Sequence, residues 1–147
     1  MSSEGSGIGH FDGMAVFVPM TAVGDVIKAK IVKFKKNISY GIIDEIITPS
    51  KDRCENTCPV FRQCGGCVYR HISYESECRI KEKKVFDAIK RIGGVDMLPQ
   101  PIIPAVCDSR YRNKAQYPVR LENGKINIGF FAQNSHRVID CNDCMLQ

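Results

Sequence analysis

The sequence predicts a mainly β chain: a small barrel-like β-module, a cysteine-rich segment with one helix, and the start of an α+β unit. Three observations carry this. Short runs rich in Val, Ile and Phe alternate with polar residues before residue 50. Four of the eight cysteines crowd into residues 48–72, a stretch with no helical or alternating pattern. An Asn-Gly pair then separates two further β-rich runs.

Taken in order, residues 15–19, 26–34 and 39–47 are expected to be strands. In the second, Ile27, Ala29 and Ile31 point to one face while Lys28 and Lys30 point to the other, as a half-buried strand requires. Residues 1–9 are polar and glycine-rich, and a barrel of this kind normally has about five strands, so a first strand is expected to be missing. A helix is expected over residues 74–92. Ser73 caps its start, Val85, Ala88, Ile89 and Ile92 share a face, and Gly93-Gly94 end it. Pro99, Pro101 and Pro104 mark an extended connector. Residues 116–121 and 125–131 form a hairpin around Asn123-Gly124, and a short strand at 137–140 leads to Cys144. The expected domain organisation is therefore 1–50, 51–98 and 99–147, the last a truncated piece of something longer.

Composition narrows the function. The chain has 147 residues, 44% hydrophobic and 25% charged, and reads as globular; no apolar run reaches the ~20 residues of a membrane span, and no secretory signal is visible. A cytoplasmic location without membrane association is expected. Thiols in a reducing compartment more often bind metal than form disulfides. The net charge of +5 is unevenly spread: Lys28, Lys30, Lys33, Lys35 and Lys36 fall within nine residues without an acid, a pattern open to RNA contact or to a plain solvated strand face.

Cys58, Cys64 and Cys67 have C-x5-C-x2-C spacing, with Gly65-Gly66 letting backbone N–H groups approach the sulfurs. Three ligands in one loop and a distant fourth suit an iron–sulfur cubane. Cys54, Cys78, Cys107, Cys141 and Cys144 are candidates for the fourth, and spacing does not choose among them. Zinc is the alternative, through the two C-x2-C pairs Cys64/Cys67 and Cys141/Cys144. Phe34, Tyr40 and Phe61 are candidate stacking residues that read more simply as core, and His71 and His136 as hydrogen-bonding groups. Gly5, Gly7 and Gly9 lack the strand and helix of a phosphate loop.

Gly13-Met-Ala-Val-Phe-Val-Pro19, Gly24-Asp-Val26, Lys35-Lys36, Pro49-Ser-Lys-Asp-Arg53, the Cys58 to Cys67 loop, Tyr111-Arg-Asn-Lys114, Gly129-Phe130 and Ser135-His136 follow one another in a specific order. In that order the chain resembles the front part of the bacterial RNA uracil-5 methyltransferases, most closely the branch acting on 23S ribosomal RNA. The resemblance implies an OB-like TRAM barrel that binds RNA, and a [4Fe-4S] cluster held by Cys58, Cys64, Cys67 and Cys144. It implies RNA contact by Lys28, Lys30, Lys33, Lys35 and Lys36, with Arg112 and Lys114 either orienting RNA or tying the hairpin to its surroundings. S-adenosylmethionine is implied only for the full-length family enzyme. The catalytic domain, its nucleophilic cysteine and its base are implied to lie beyond Gln147, leaving this chain inert alone. A stand-alone RNA-binding protein with a zinc knuckle is the rival reading.

Overall fold

The computed structural model describes residues 1–2 and 4–147 and is mainly β, with one α-helix. The elements are β1 (Gly7–Phe11), β2 (Met14–Val18), β3 (Val26–Lys35), β4 (Ile38–Thr48), α1 (Tyr74–Arg91), β5 (Val119–Glu122), β6 (Lys125–Phe131) and β7 (Val138–Asp140). They belong to two compact units, Met1–Glu55 with His71–Ile103, and Asn56–Arg70 with Pro104–Gln147. The cysteine loop clusters with the C-terminal strands, and α1 with the first sheet. Backbone pairing decides this, through an Arg53–Ile72 bridge in one unit and a Cys64–Ala132 bridge in the other.

The first unit holds a four-stranded sheet of order β1-β2-β4-β3, one strand more than the three read from the sequence. The additional strand, β1, pairs antiparallel with β2 across Asp12-Gly13. Both turn residues have positive φ, 49° and 74°, as a tight two-residue hairpin demands. The Asp-Gly pair was the available signal, masked by the glycine-rich opening. Among the described residues β1 and β3 remain the two edges of the sheet, so the barrel is open. β3 keeps the expected alternation, with Ile27, Ala29 and Ile31 turned inward and Lys28 and Lys30 outward. Its pairing with β4 slips at three irregularities, the last between Ile31 and Lys33. Such bulges sharpen the twist and reset which residues face out.

Helix α1 begins where the sequence places it. Ser73 accepts a hydrogen bond from the Ser76 N–H, and Glu75 and Glu77 lie in the first turn. The expected apolar face is a correction. Val85 and Ile92 are exposed, whereas the buried helix residues are Ser76 and Cys78. The reason is anchorage at the N-terminal end: the Asp52 carboxylate accepts from Ser76 Oγ (3.1 Å) and Arg79 Nη2 (2.8 Å), and the Asp52 carbonyl accepts from the Ser73 N–H (2.8 Å).

In the second unit β6 is central, paired with β5 and β7. Asn123 and Gly124 take φ of 51° and 76°, the turn foreseen from the sequence. β5 is shorter than expected, starting at Val119 just after Pro118. Gly129 permits the β6–β7 approach, since a Cβ there would stand 1.9 Å from the Ile139 carbonyl oxygen. No helix among the described residues is long and apolar enough to cross a membrane.

Candidate metal centre and basic strand

The loop that carries three of the cysteines is built by short-range backbone bonds. Cys64 N–H donates to the Val60 carbonyl (2.8 Å), Gln63 N–H to the same oxygen (2.9 Å), and Cys58 N–H to Asn56 Oδ1 (3.0 Å). Phe61, 5% exposed, anchors the loop as a core residue, the simpler of the two roles its sequence context allowed. Gly65 N–H donates to the Phe131 carbonyl (2.9 Å), and a Cβ at Gly65 would meet Phe131 and Gln133 backbone at 3.1–3.2 Å. The C-x2-C turn therefore lies against the end of β6, and glycine is what allows it.

The chain after β7 returns to the same place. Arg112 N–H donates to the Leu146 carbonyl (2.9 Å) and Arg110 N–H to that of Met145 (2.8 Å), while Arg110 Nη2 also donates to both Asp143 carboxylate oxygens at 2.8 and 3.0 Å. As a result Cys58, Cys64, Cys67, Cys141 and Cys144 line one hollow, walled by Val60, Phe61, Phe130 and Leu146. Gly66 N–H donates to Cys64 Sγ (3.3 Å) and Leu146 N–H to Cys144 Sγ (3.5 Å), backbone donors of the kind that stabilise metal thiolates.

Burial and neighbouring thiols act together on Cys64, Cys67 and Cys141. Burial pushes the Cys64 thiol up, the Gly66 N–H opposes it, and the charges of Cys58 and Cys144 add to the rise. Burial likewise raises Cys67, opposed by Arg70 and reinforced by Cys64, Cys144 and Cys58. Cys141 is raised by burial and then by Cys144, with smaller contributions from Cys58 and Cys64. Protonated thiols hold no metal, so binding here must displace protons. Among the described residues no three His, Cys, Asp or Glu side chains converge as a group able to hold a metal ion. The thiols are gathered in one hollow without closing on a point.

Cys54 and Cys107 are exposed thiols and Cys78 is buried in α1, all three outside the hollow. His71 is buried, with Nε2 3.1 Å from the Thr21 carbonyl oxygen, and burial pushes its pKa down. His136 packs edge-on against Phe131, 5.7 Å between ring centres. Both behave as packing or hydrogen-bonding residues.

The basic candidates fall into two groups. Lys28, Lys30, Lys33, Lys35 and Lys36 are all exposed on or just after β3. Lys28 lies 3.4 Å from Asp44, and Lys35 sits over the Tyr40 ring at 5.7 Å. Opposite Lys30, Lys33 and Lys35 the register places Ile42, Tyr40 and Ile38, so the positive field is least compensated toward the end of the strand. Phe34 corrects the core reading: it is 68% exposed between Lys33 and Lys35, beyond the last bulge. Tyr40 stacks on Phe17 at 5.7 Å. Arg112 and Lys114 belong to the other unit, and Arg112 lines the thiol hollow.

The sequence reading missed a buried ion pair that organises the first unit. Asp25, 2% exposed in its side chain, accepts from Ala22 N–H (2.6 Å), Ser50 N–H (2.9 Å), Arg53 Nε (2.8 Å) and Arg53 Nη2 (2.7 Å). Burial alone would raise the Asp25 pKa, but the Arg53 guanidinium and the two backbone donors outweigh it and hold the carboxyl below its ordinary value. Gly24-Asp25 and the Pro49-to-Arg53 run, separate motifs in the sequence, thus prove to be one structural device.

One unit thus carries an open β-sheet with a lysine-lined strand, and the other a thiol-lined hollow. Residues 1–43 match the TRAM domain family. Over its whole length the chain is 43% identical to a protein of Halalkalibacterium halodurans and 40% identical to one of Clostridium tetani. A Synechocystis protein is 37% identical, again over the whole chain. All three are named uncharacterized RNA methyltransferases, and the chain spans 32% of the length of each. The chain thus carries a TRAM domain match over residues 1–43 and is similar along its whole length to about a third of each of these proteins named RNA methyltransferases. The crystal structure of Pyrococcus abyssi tRNA (uracil-54, C5)-methyltransferase with S-adenosyl-L-homocysteine shares the fold, with a TM-score of 0.58 at 22% identity. That match covers 99% of this chain and 33% of the other.

Proposed function

We propose that this chain is the RNA-recognition and [4Fe-4S]-holding part of a cytoplasmic, S-adenosylmethionine-dependent 23S rRNA uracil-5 methyltransferase. The observation that carries the RNA role is the exposed lysine strand within a TRAM domain of a chain aligned end to end with RNA methyltransferases. Lys30, Lys33, Lys35 and Lys36 would neutralise phosphates, and Phe34 offers an exposed ring for a base between two of them.

The donor set of the hollow fits an iron–sulfur cluster: it is all thiol, walled by apolar side chains, and supplied with N–H donors to sulfur. Cys58, Cys64, Cys67 and Cys144 would hold the cluster, with Cys141 beside them. Bound, it supplies a cross-link between the loop and the C-terminal turn, since methyl transfer to uracil needs no electron. Closing so long a segment stabilises the second unit.

Zinc remains the rival because Cys141 lines the same hollow and completes two C-x2-C pairs. Iron, acid-labile sulfide and zinc analysis of anaerobically purified protein separates the two, and a colourless protein with one zinc and no sulfide overturns the cluster. Cys144→Ser should lose most of the iron while Cys141→Ser keeps it; equal losses refute the ligand set. For the substrate, binding to 23S rRNA fragments should exceed binding to tRNA at matched salt. The reverse order would move the proposal to tRNA.

A further inference from the structure

Arg70 stands three residues after Cys67 and lines the same hollow as the five thiols. Its Nη2 donates to Ser109 Oγ at 3.2 Å and to the Met145 carbonyl at 3.3 Å, reaching residues 39 and 75 positions away. Met145 directly follows Cys144, and its carbonyl also accepts the Arg110 N–H. One guanidinium therefore joins three stretches of chain: the loop with Cys64 and Cys67, the segment at 109–112, and the turn that carries Cys144.

We propose that Arg70 is a positioning residue for the thiol centre, tying the Cys144 turn to the cysteine loop and placing a permanent positive charge beside the thiolates. This rests on the cluster reading above. Two physical arguments support it. Thiolates gathered in an apolar hollow are poorly solvated, so a neighbouring cation that never deprotonates is a favourable counter-charge. The hydrogen bonds add a geometric role, because Ser109 and Met145 fix the guanidinium at the place where the two ligand-bearing stretches meet.

The test uses the chain purified anaerobically with its cluster, in wild-type form and as Arg70→Met, Arg70→Lys and Ser109→Ala. Far-UV circular dichroism first establishes that each variant is folded. Removing the charge with Arg70→Met should disfavour reduction by about tenfold, a negative shift of about 59 mV for one electron. It should also shorten the lifetime of the cluster in air several-fold. Arg70→Lys retains the charge and should hold the potential near wild type. Ser109→Ala removes one hydrogen bond and should speed cluster loss without moving the potential. A wild-type potential in folded Arg70→Met overturns the proposal even if the cluster is lost faster, because a packing defect alone would do that. Wild-type protein free of iron and sulfide overturns the cluster reading itself, and is recognised before any variant is compared.

Discussion

Replacing Asp25 by Asn keeps the shape of the side chain and removes its charge, which isolates what the buried carboxylate contributes. In the native arrangement Oδ1 accepts from Ser50 N–H and Arg53 Nε, and Oδ2 accepts from Ala22 N–H and Arg53 Nη2. Whichever way the amide turns, its NH2 faces two of these donors, so two hydrogen bonds are lost and the remaining two weaken. Hydrogen bonds to a charged group contribute about 1.5–3 kcal/mol each. Removing one partner of a buried ion pair costs about 3–5 kcal/mol. Arg53 retains 20% exposure and its bond to the Met20 carbonyl, so it relaxes in part, and a loss of about 3 kcal/mol is expected. Urea unfolding followed by circular dichroism should show this as a lower midpoint at unchanged slope. The pH dependence gives a second signature. With its folded pKa held below the ordinary value of 3.8, Asp25 contributes stability that is complete above that value. The contribution is lost as pH falls through the depressed folded value, and Asp25→Asn should remove that acid-side slope. A loss under about 1 kcal/mol, or an unchanged acid limb, would refute the assignment of Asp25 as the organising charge.

Further outcomes follow from the same geometry. Gly129→Ala should cost more than about 2 kcal/mol, because the new Cβ would overlap the Ile139 carbonyl and force β6 and β7 apart; thermal unfolding that matches wild type would remove the close approach. Neutralising Lys30, Lys33 and Lys35 together should weaken RNA binding at all sequences and lower the salt slope by roughly 0.7–0.9 for each phosphate left without its lysine; an unchanged slope takes β3 out of the interface. Phe34→Ala should weaken single-stranded RNA by about 1–3 kcal/mol and duplex RNA much less, measured by fluorescence anisotropy; equal effects on both would exclude stacking.

Local chemistry made much of the fold legible. The Asn123-Gly124 turn, the Ser73 cap and the alternation of Ile27, Ala29 and Ile31 with Lys28 and Lys30 depend on backbone preferences and side-chain period, which neighbouring residues express directly. β1 was missed because Gly7 and Gly9 weaken the strand pattern of Gly7–Phe11, and Asp12-Gly13 carried the hairpin signal alone. The buried side of α1 was misread because Asp52, not the period of apolar residues, decides which end is held down.

By itself the sequence determined that the chain is mainly β, that three thiols share one short loop, that a lysine strand is solvent-facing, and that the motifs run in the order of RNA methyltransferases. Spacing left the partner of Cys58, Cys64 and Cys67 open and only the resemblance pointed to Cys144; tertiary structure brings both Cys141 and Cys144 to their hollow, through β7 and the pairing of residues 110–112 with 145–146. It also decided that Asp25 meets Arg53 and that Arg70 reaches Met145, pairs separated by 28 and 75 residues. Spacing along a chain encodes local geometry, whereas such distant meetings depend on how strands register and where loops close.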